Sequence, residues 1–293
     1  MTQRSVAGNS GLSASFRYDS CHAKLIEASS PDHQQQLNYS LSGQHIGDQL
    51  GDQGLLRAGQ RHSLNGLPLQ YTDASGQEQI TRYDSLCRIA KVEQGAVTAD
   101  YFYDSLSRVS KIETVDSHSE RKLTTHLEYD DFGREVLRKL TVDSNESEEL
   151  NQQFDASNRL IRRTLKQGHD VLRDETFAYD SRGRLEQYQC SGKHLPVDPA
   201  GKAIQSQTYV FDELNNVLKM TTRFAGGENI ATFEYGYLDR TQLSRVTHSH
   251  PDYASQQATF TYDSDGNQLN DECGRRMIYD DLGRLASVAQ EHA

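Results

Sequence analysis

One short phrase recurs along most of this chain and constrains its fold more than any other feature. It reads aromatic, Asp, two variable residues, a small residue, Arg or Asn, and most often an apolar residue. Tyr83-Asp84 leads to Cys87-Arg88-Ile89, Tyr103-Asp104 to Ser107-Arg108-Val109, and Tyr129-Asp130 to Gly133-Arg134. Phe154-Asp155 leads to Asn158-Arg159-Leu160, Tyr179-Asp180 to Gly183-Arg184-Leu185, and Phe211-Asp212 to Asn215-Asn216-Val217. Tyr262-Asp263 with Gly266-Asn267 and Tyr279-Asp280 with Gly283-Arg284-Leu285 follow, and Tyr237-Leu238-Asp239-Arg240 is a degenerate copy. From Tyr83 the aromatic positions lie 20, 26, 25, 25, 32, 26, 25 and 17 residues apart. Self-similarity at such a period marks a repeat architecture.

The phrase has a physical reading. Seven of the nine aromatic positions have an apolar residue two places earlier: Tyr101, Leu127, Phe177, Tyr209, Tyr235, Phe260 and Met277. Period-two alternation predicts a half-buried strand running into the phrase. Asp then bonds forward to backbone N–H groups and starts a turn. Three residues later stands Gly, Asn or another small residue, where the turn calls for positive φ. The next strand begins at the Arg. Its apolar residues fall one and four places on (Ile89 and Val92, Val109 and Ile112, Leu285 and Val288), which predicts a bulge or strong local twist. One hairpin cannot bury its apolar side, whereas stacked hairpins can. The expected fold is therefore all-β, antiparallel hairpins stacked into a curved or spiralling sheet, with helix a minor component. Residues 71–290 form the regular repeat region, 1–70 a less regular N-terminal segment, and 291–293 a tail.

Composition fits a thin architecture. Leu, Ile, Val and Phe together make up about 20% of the chain, at the lower limit for a packed core, and the mean hydropathy is −0.78. The 42 acidic against 31 basic residues disfavour a nucleic-acid partner, whose affinity rests on phosphate neutralisation. No apolar run is long enough to span a membrane, and the first twenty residues lack the apolar segment of a secretory signal. Cys21, Cys87, Cys190 and Cys273 are far apart and read as reduced structural thiols.

These residues resemble the YD-repeat or RHS-repeat proteins, which include bacterial Rhs polymorphic toxins, the B/C subunits of insecticidal Tc toxin complexes and the teneurin shell. Arg82-Tyr83-Asp84, Tyr279-Asp280-Asp281-Leu282-Gly283-Arg284-Leu285, Tyr262-Asp263-Ser264-Asp265-Gly266-Asn267 and the segment Val210 to Asn216 carry the match. It covers roughly residues 70 to 290, with Tyr18-Asp19 and Tyr71-Thr72-Asp73 as worn copies upstream. The resemblance implies a β-sheet spiralling into a hollow shell that encloses a toxic polypeptide. It also implies a bacterial protein delivered by a machine that reads no classical signal, although the sequence itself leaves the compartment open. The family's downstream core and effector region do not follow the last phrase here. The chain is therefore expected to be part of a shell, pairing through a terminal strand with the rest of a larger shell or with a second copy of itself.

Other constellations carry less. Val197-Asp198-Pro199-Ala200-Gly201 is similar to the self-cleavage motif of that family, but lies mid-repeat and reads as an inserted loop. His248-Ser249-His250-Pro251-Asp252 places two imidazoles near a carboxylate, short of the three or four ligands a metal needs, and reads as a polar strand end. The acidic run 143–149 reads as a solvated loop tip; His33 to Gln36 and Gly47 to Gly54 read as loops. No phosphate-loop, zinc-protease or hydrolase-elbow motif is present. No cofactor or catalytic residue is expected. The repeated Asp and Arg residues read as architectural, since an active site normally occurs once. The alternative to a structural, encapsulating scaffold is a carbohydrate-binding surface module whose tyrosines stack on sugars.

Overall fold

The computed structural model describes residues 2–5, 13–20, 23–30, 33–51, 56–143, 147–253, 257–280 and 282–289. Cys21, residues 144–146 of the acidic run, residues 52–54 of the Gly47 to Gly54 stretch, Asp281 and the tail 291–293 lie outside the described residues. Among the described residues the regular structure is β-strand, in 24 strands joined by short turns, and no helix occurs. The all-β, antiparallel hairpin fold expected from the alternation is present. His33 to Gln36, read as a loop, instead belongs to the strand His33–Tyr39, and Gly47 lies in the strand His45–Leu50.

Two compact units divide the chain: Met1–Leu127 with Leu140–Asn145, and Glu128–Lys139 with Glu146–Ala293. In the first, every strand from Thr2–Ser5 to Arg121–Tyr129 pairs antiparallel with the next in sequence. The second repeats this from Ser147–Phe154 to Gln257–Thr259. Arg276–Tyr279 and Leu285–Ala289 form a separate two-stranded sheet. Nearest-neighbour pairing of this kind is what a strand–turn–strand repeat produces.

The one-and-four spacing after each Arg has a structural cause. Phe102 pairs with Lys111 but Tyr103 pairs with Val109, so Ser110 is an extra residue on one strand. The same register shift occurs where Tyr83 meets Ile89, Phe154 meets Leu160, Tyr179 meets Leu185, Phe211 meets Val217 and Tyr279 meets Leu285. Each is a β-bulge, which moves the later side chains of that strand to the opposite face and so breaks strict alternation.

Burial is sparse. Eight of the nine buried apolar residues among those described lie in the second unit; Leu127 is the exception. The principal cluster joins Tyr188, Cys190 and Ile204 with Phe177, Leu185 and Leu195 around them. Phe177 and Tyr188 are cross-strand partners with ring centroids 5.5 Å apart. Beside them Glu175, 3% exposed, takes a two-point contact from Arg163 (2.7 and 3.0 Å) and the Tyr188 hydroxyl at 2.8 Å. Burial pushes the Glu175 carboxyl up, but these donors outweigh it and hold the pKa below the ordinary value. A buried carboxylate so saturated keeps its charge without disrupting the core.

Gly192 directly follows the strand Leu185–Ser191. Its φ is +120°, and a Cβ there would lie 2.5 Å from the Leu172 carbonyl oxygen. Gly192→Ala should therefore destabilise the second unit by more than the roughly 1–2 kcal/mol that left-handed backbone alone costs an L-residue, because the Leu172 backbone must also move. Urea unfolding followed by tyrosine fluorescence checks this.

Candidate functional site

The repeated phrase folds the same way at each copy. At the first regular one, the Asp84 N–H donates to the Arg88 carbonyl (2.9 Å), and the Cys87 N–H donates to the Asp84 carbonyl (3.0 Å). The Asp84 side chain then collects three donors: Oδ1 accepts from the N–H groups of Leu86 and Arg88, each at 2.9 Å, and Oδ2 accepts from Arg88 Nε at 2.8 Å. Asp104, Asp130, Asp155, Asp180 and Asp280 repeat this set with Arg108, Arg134, Arg159, Arg184 and Arg284. At Asp212 and Asp263 the amides of Asn216 and Asn267 replace the guanidinium. The small residue has positive φ throughout: 60° at Cys87, 63° at Ser107, 64° at Asn158, 81° at Gly133 and Gly183, 85° at Gly266 and 72° at Gly283. Of the two residues after each Asp the second gives a backbone N–H to the turn; Leu86, Leu106 and Phe132 are 65%, 70% and 84% exposed there, while Arg182 also reaches forward to the Glu213 carbonyl at 3.0 Å.

The same residues also join one turn to the next on the same sheet edge. The Tyr103 hydroxyl donates to the Ile89 carbonyl at 2.6 Å, Tyr83 to Pro68 at 2.7 Å, Tyr179 to Leu160 at 2.8 Å and Tyr262 to Leu243 at 2.9 Å. In each case the acceptor is the first residue of the strand that leaves the previous turn. Guanidinium groups stack on the following aromatic ring, Arg88 on Tyr103 (4.2 Å), Arg134 on Phe154, Arg159 on Tyr179 (both 4.9 Å) and Arg184 on Phe211 (4.7 Å). Arg184 Nη1 also reaches the Asp212 carbonyl (2.8 Å) and Asn215 Oδ1 (3.2 Å), and Arg134 Nη1 reaches the Asp155 carbonyl at 3.1 Å.

Several turns of this form carry no complete phrase. Ser40 and Ser63 replace Asp, each accepting from the N–H four residues on. Asp73 makes the turn with Gly76 and Gln77, and Asp271 with Gly274 and Arg275, without an aromatic directly before either. The spacing of Asp or Ser to Gly, free of the aromatic requirement, is the signal that finds them. At the degenerate copy the aromatic role belongs to Tyr235, whose hydroxyl donates to the Val217 carbonyl at 3.0 Å; Tyr237 is 97% exposed. Asp198, expected in an inserted loop, makes the standard turn with Ala200, Gly201 and Lys202.

That turn lies against the two histidines singled out by sequence. Tyr253 donates its hydroxyl to Asp198 Oδ2, and Lys202 pairs with Asp252 at 2.5 Å. His248 stacks on Tyr253, with ring centroids 4.9 Å apart, and its Nδ1 lies 2.9 Å from the Asn229 amide. His250 packs edge-on against Phe224 at 5.2 Å. Among the described residues no group of three or more His, Cys, Asp or Glu is placed to hold a metal ion. Cys87 and Cys273 are exposed free thiols in turns and Cys190 is a buried one.

No protein-family model and no curated protein matches the sequence. Solved structures share its fold. A crystal structure of TcdB2-TccC3 superposes with a TM-score of 0.68 at 14% identity, covering 96% of this chain and 18% of that one. TcdB2-TccC3 without its hypervariable C-terminal region gives 0.63 at 11% identity, again over 96% and 18%. TcdB2-TccC3-TEV gives 0.59 at 12% identity, over 94% and 18%. The chain thus spans under a fifth of the length of the proteins it matches.

Two predictions follow from the turn geometry. Arg184→Ala should lower the melting temperature more than Arg284→Ala, because Arg184 is bonded into the following turn while Arg284 is 70% exposed; Arg184→Lys should recover little, since one ammonium cannot fork between Asp180 and Asp212. The second concerns pH. The pKa values of Asp84, Asp104, Asp155 and Asp280 are depressed below their ordinary 3.8, first by the backbone N–H of the Arg four residues on and then by its guanidinium. Their contribution should be complete above that value and lost as pH falls through the depressed values. The stability these turns supply should accordingly fall only below pH 3.8, and the acid midpoint should move upward in Arg88→Ala, which takes the guanidinium from Asp84.

Proposed function

We propose that this chain is a wall segment of a YD/RHS-type toxin shell, a scaffold that encloses or delivers a polypeptide rather than a catalyst. One observation carries the reading: in the phrase aromatic-Asp-x-x-small-Arg the guanidinium, and the hydroxyl where the aromatic residue is Tyr, bond one turn to the next, as at Arg88 with Tyr103 and at Arg184 with Asp212. A residue set of that kind specifies stacking, and repeating it extends a sheet. The fold shared with TcdB2-TccC3 over nearly the whole chain supports the same reading. Its partners would be the remainder of a larger shell or a second copy, with an enclosed toxic polypeptide as cargo, in a bacterium that exports the assembly.

The sugar-binding alternative needs free tyrosine faces. The faces of Tyr103 and Tyr179 carry Arg88 and Arg159, and their hydroxyls are bonded to carbonyls. Tyr237 does stand free at 97% exposed, but it is one ring and not a repeated platform, so the scaffold is the better supported of the two. Expressed together with the coding sequence adjoining it, the protein should form hollow particles by electron microscopy and shield an internal segment from protease. Particles without a lumen, or a specific and saturable hit on a glycan panel, would sink the proposal.

A further inference from the structure

Most side-chain bonds in this protein link a strand or turn to its immediate neighbour, but one set in the second unit does not. Tyr253 to Asp198 and Lys202 to Asp252 join residues 55 and 50 apart, from the 192–203 connection to the segment after the strand Leu243–His248. Between them lies the hairpin turn that joins the strands Val217–Phe224 and Gly227–Tyr235. His250 and Lys202 both cover Phe224 beside that turn, at 5.2 and 5.6 Å. Segment 249–253 is therefore a strap across a hairpin.

Asn229, 1% exposed, holds the strap from beneath. Its Oδ1 accepts from the His250 N–H at 3.2 Å, so its Nδ2 is the atom facing His248 Nδ1 at 2.9 Å. That nitrogen must be an acceptor, and the imidazole is neutral with its proton on Nε2. We propose that the strap is acid-sensitive: neutral His248 holds it closed, and protonation of Nδ1 sets two donors against each other and frees 249–253 from the Asp198 turn. Asn229 is too buried to replace the lost acceptor with water.

The charged and titratable groups around His248 come from three places. His250, Asp252 and Tyr253 follow it in sequence, and Asp198 and Lys202 come from the 192–203 connection. Glu272 and Cys273 line the same 280 Å³ cavity, while the strand Gly227–Tyr235 presents the neutral Asn229. Lys202 is paired with Asp252, and Asp198 accepts from Tyr253. Burial lowers the His248 pKa from its ordinary 6.5, and the Asp198 charge opposes that only in part. A base whose pKa is depressed in the closed state stabilises that state fully above its free value and progressively less below it. The strap is therefore firm above pH 6.5 and loosens beneath it.

Hydrogen exchange of the full chain at about pH 7.5 and about pH 5.5, either side of the free imidazole value, tests this after correction for intrinsic rates. Amides of 198–203 and 249–253 should exchange faster at the lower pH, by up to about tenfold per unit between the two pKa values. His248→Asn places an oxygen acceptor near the position of Nδ1 and does not titrate, so its exchange should be flat. A flat response in the native chain, or an equal response in H248N, overturns the proposal. Should H248N fold poorly, NMR titration of His248 in the native chain decides: a midpoint below 6.5 supports the latch and one at or above 6.5 refutes it.

Discussion

The guanidinium of Arg184 belongs to two turns at once. Nε is fixed by Asp180 at 2.6 Å, its plane lies over Phe211, and Nη1 reaches the backbone and side chain of the next turn. Asp180 has already been oriented by two backbone N–H groups, so the Arg side chain is held before it meets its neighbour. A pre-organised fork loses less rotamer freedom on forming its remaining bonds. Where the following aromatic residue is a tyrosine, as at Tyr103 and Tyr179, its hydroxyl closes the junction from the other side by donating to the carbonyl just after the previous Arg. Position along the sheet is thus specified by polar contacts at the turns, which suits a chain with little apolar mass to bury.

Where apolar mass is concentrated, it surrounds polar groups that are fully satisfied. Glu175 sits among Arg163 and Tyr188 in the principal cluster, and Thr222 and Asn229 are buried as a cross-strand pair. Each makes a slipped register costly, because a shift of one residue would strand a buried carboxylate or amide. Aliphatic packing alone discriminates less sharply between registers. Sparse hydrophobic content and strict pairing are compatible for this reason.

The turn was legible because it is local. Asp, the positive-φ residue and Arg lie within five positions, and every bond that shapes the turn is made inside that window. The bulge was legible too, from the displaced apolar residues after each Arg. Asp271 lacks an aromatic directly before it, because that residue belongs to the junction between repeats and not to the turn, whereas at Ser40, which does follow Tyr39, and at Ser63 it is the Asp that is replaced. Tyr237 was read as an anchor where Tyr235 fills the place. The strap was illegible in a stronger sense. Its two histidines and its Asp-Pro segment were both noticed, but nothing in their spacing says that residues half a hundred positions apart meet over Phe224. Such a meeting depends on how many strands intervene and how far each loop reaches.

The second residue after each Asp has a consequence for how such a chain changes over time. Leu86, Leu106 and Phe132 occupy a place where the fold asks only for a backbone N–H, and Ser157 and Asp265 meet the same demand elsewhere. Any residue but proline can supply that hydrogen. Mutational drift can therefore rewrite the rim of the sheet, its charge and its oiliness, one turn at a time while the hairpins beneath stay in place.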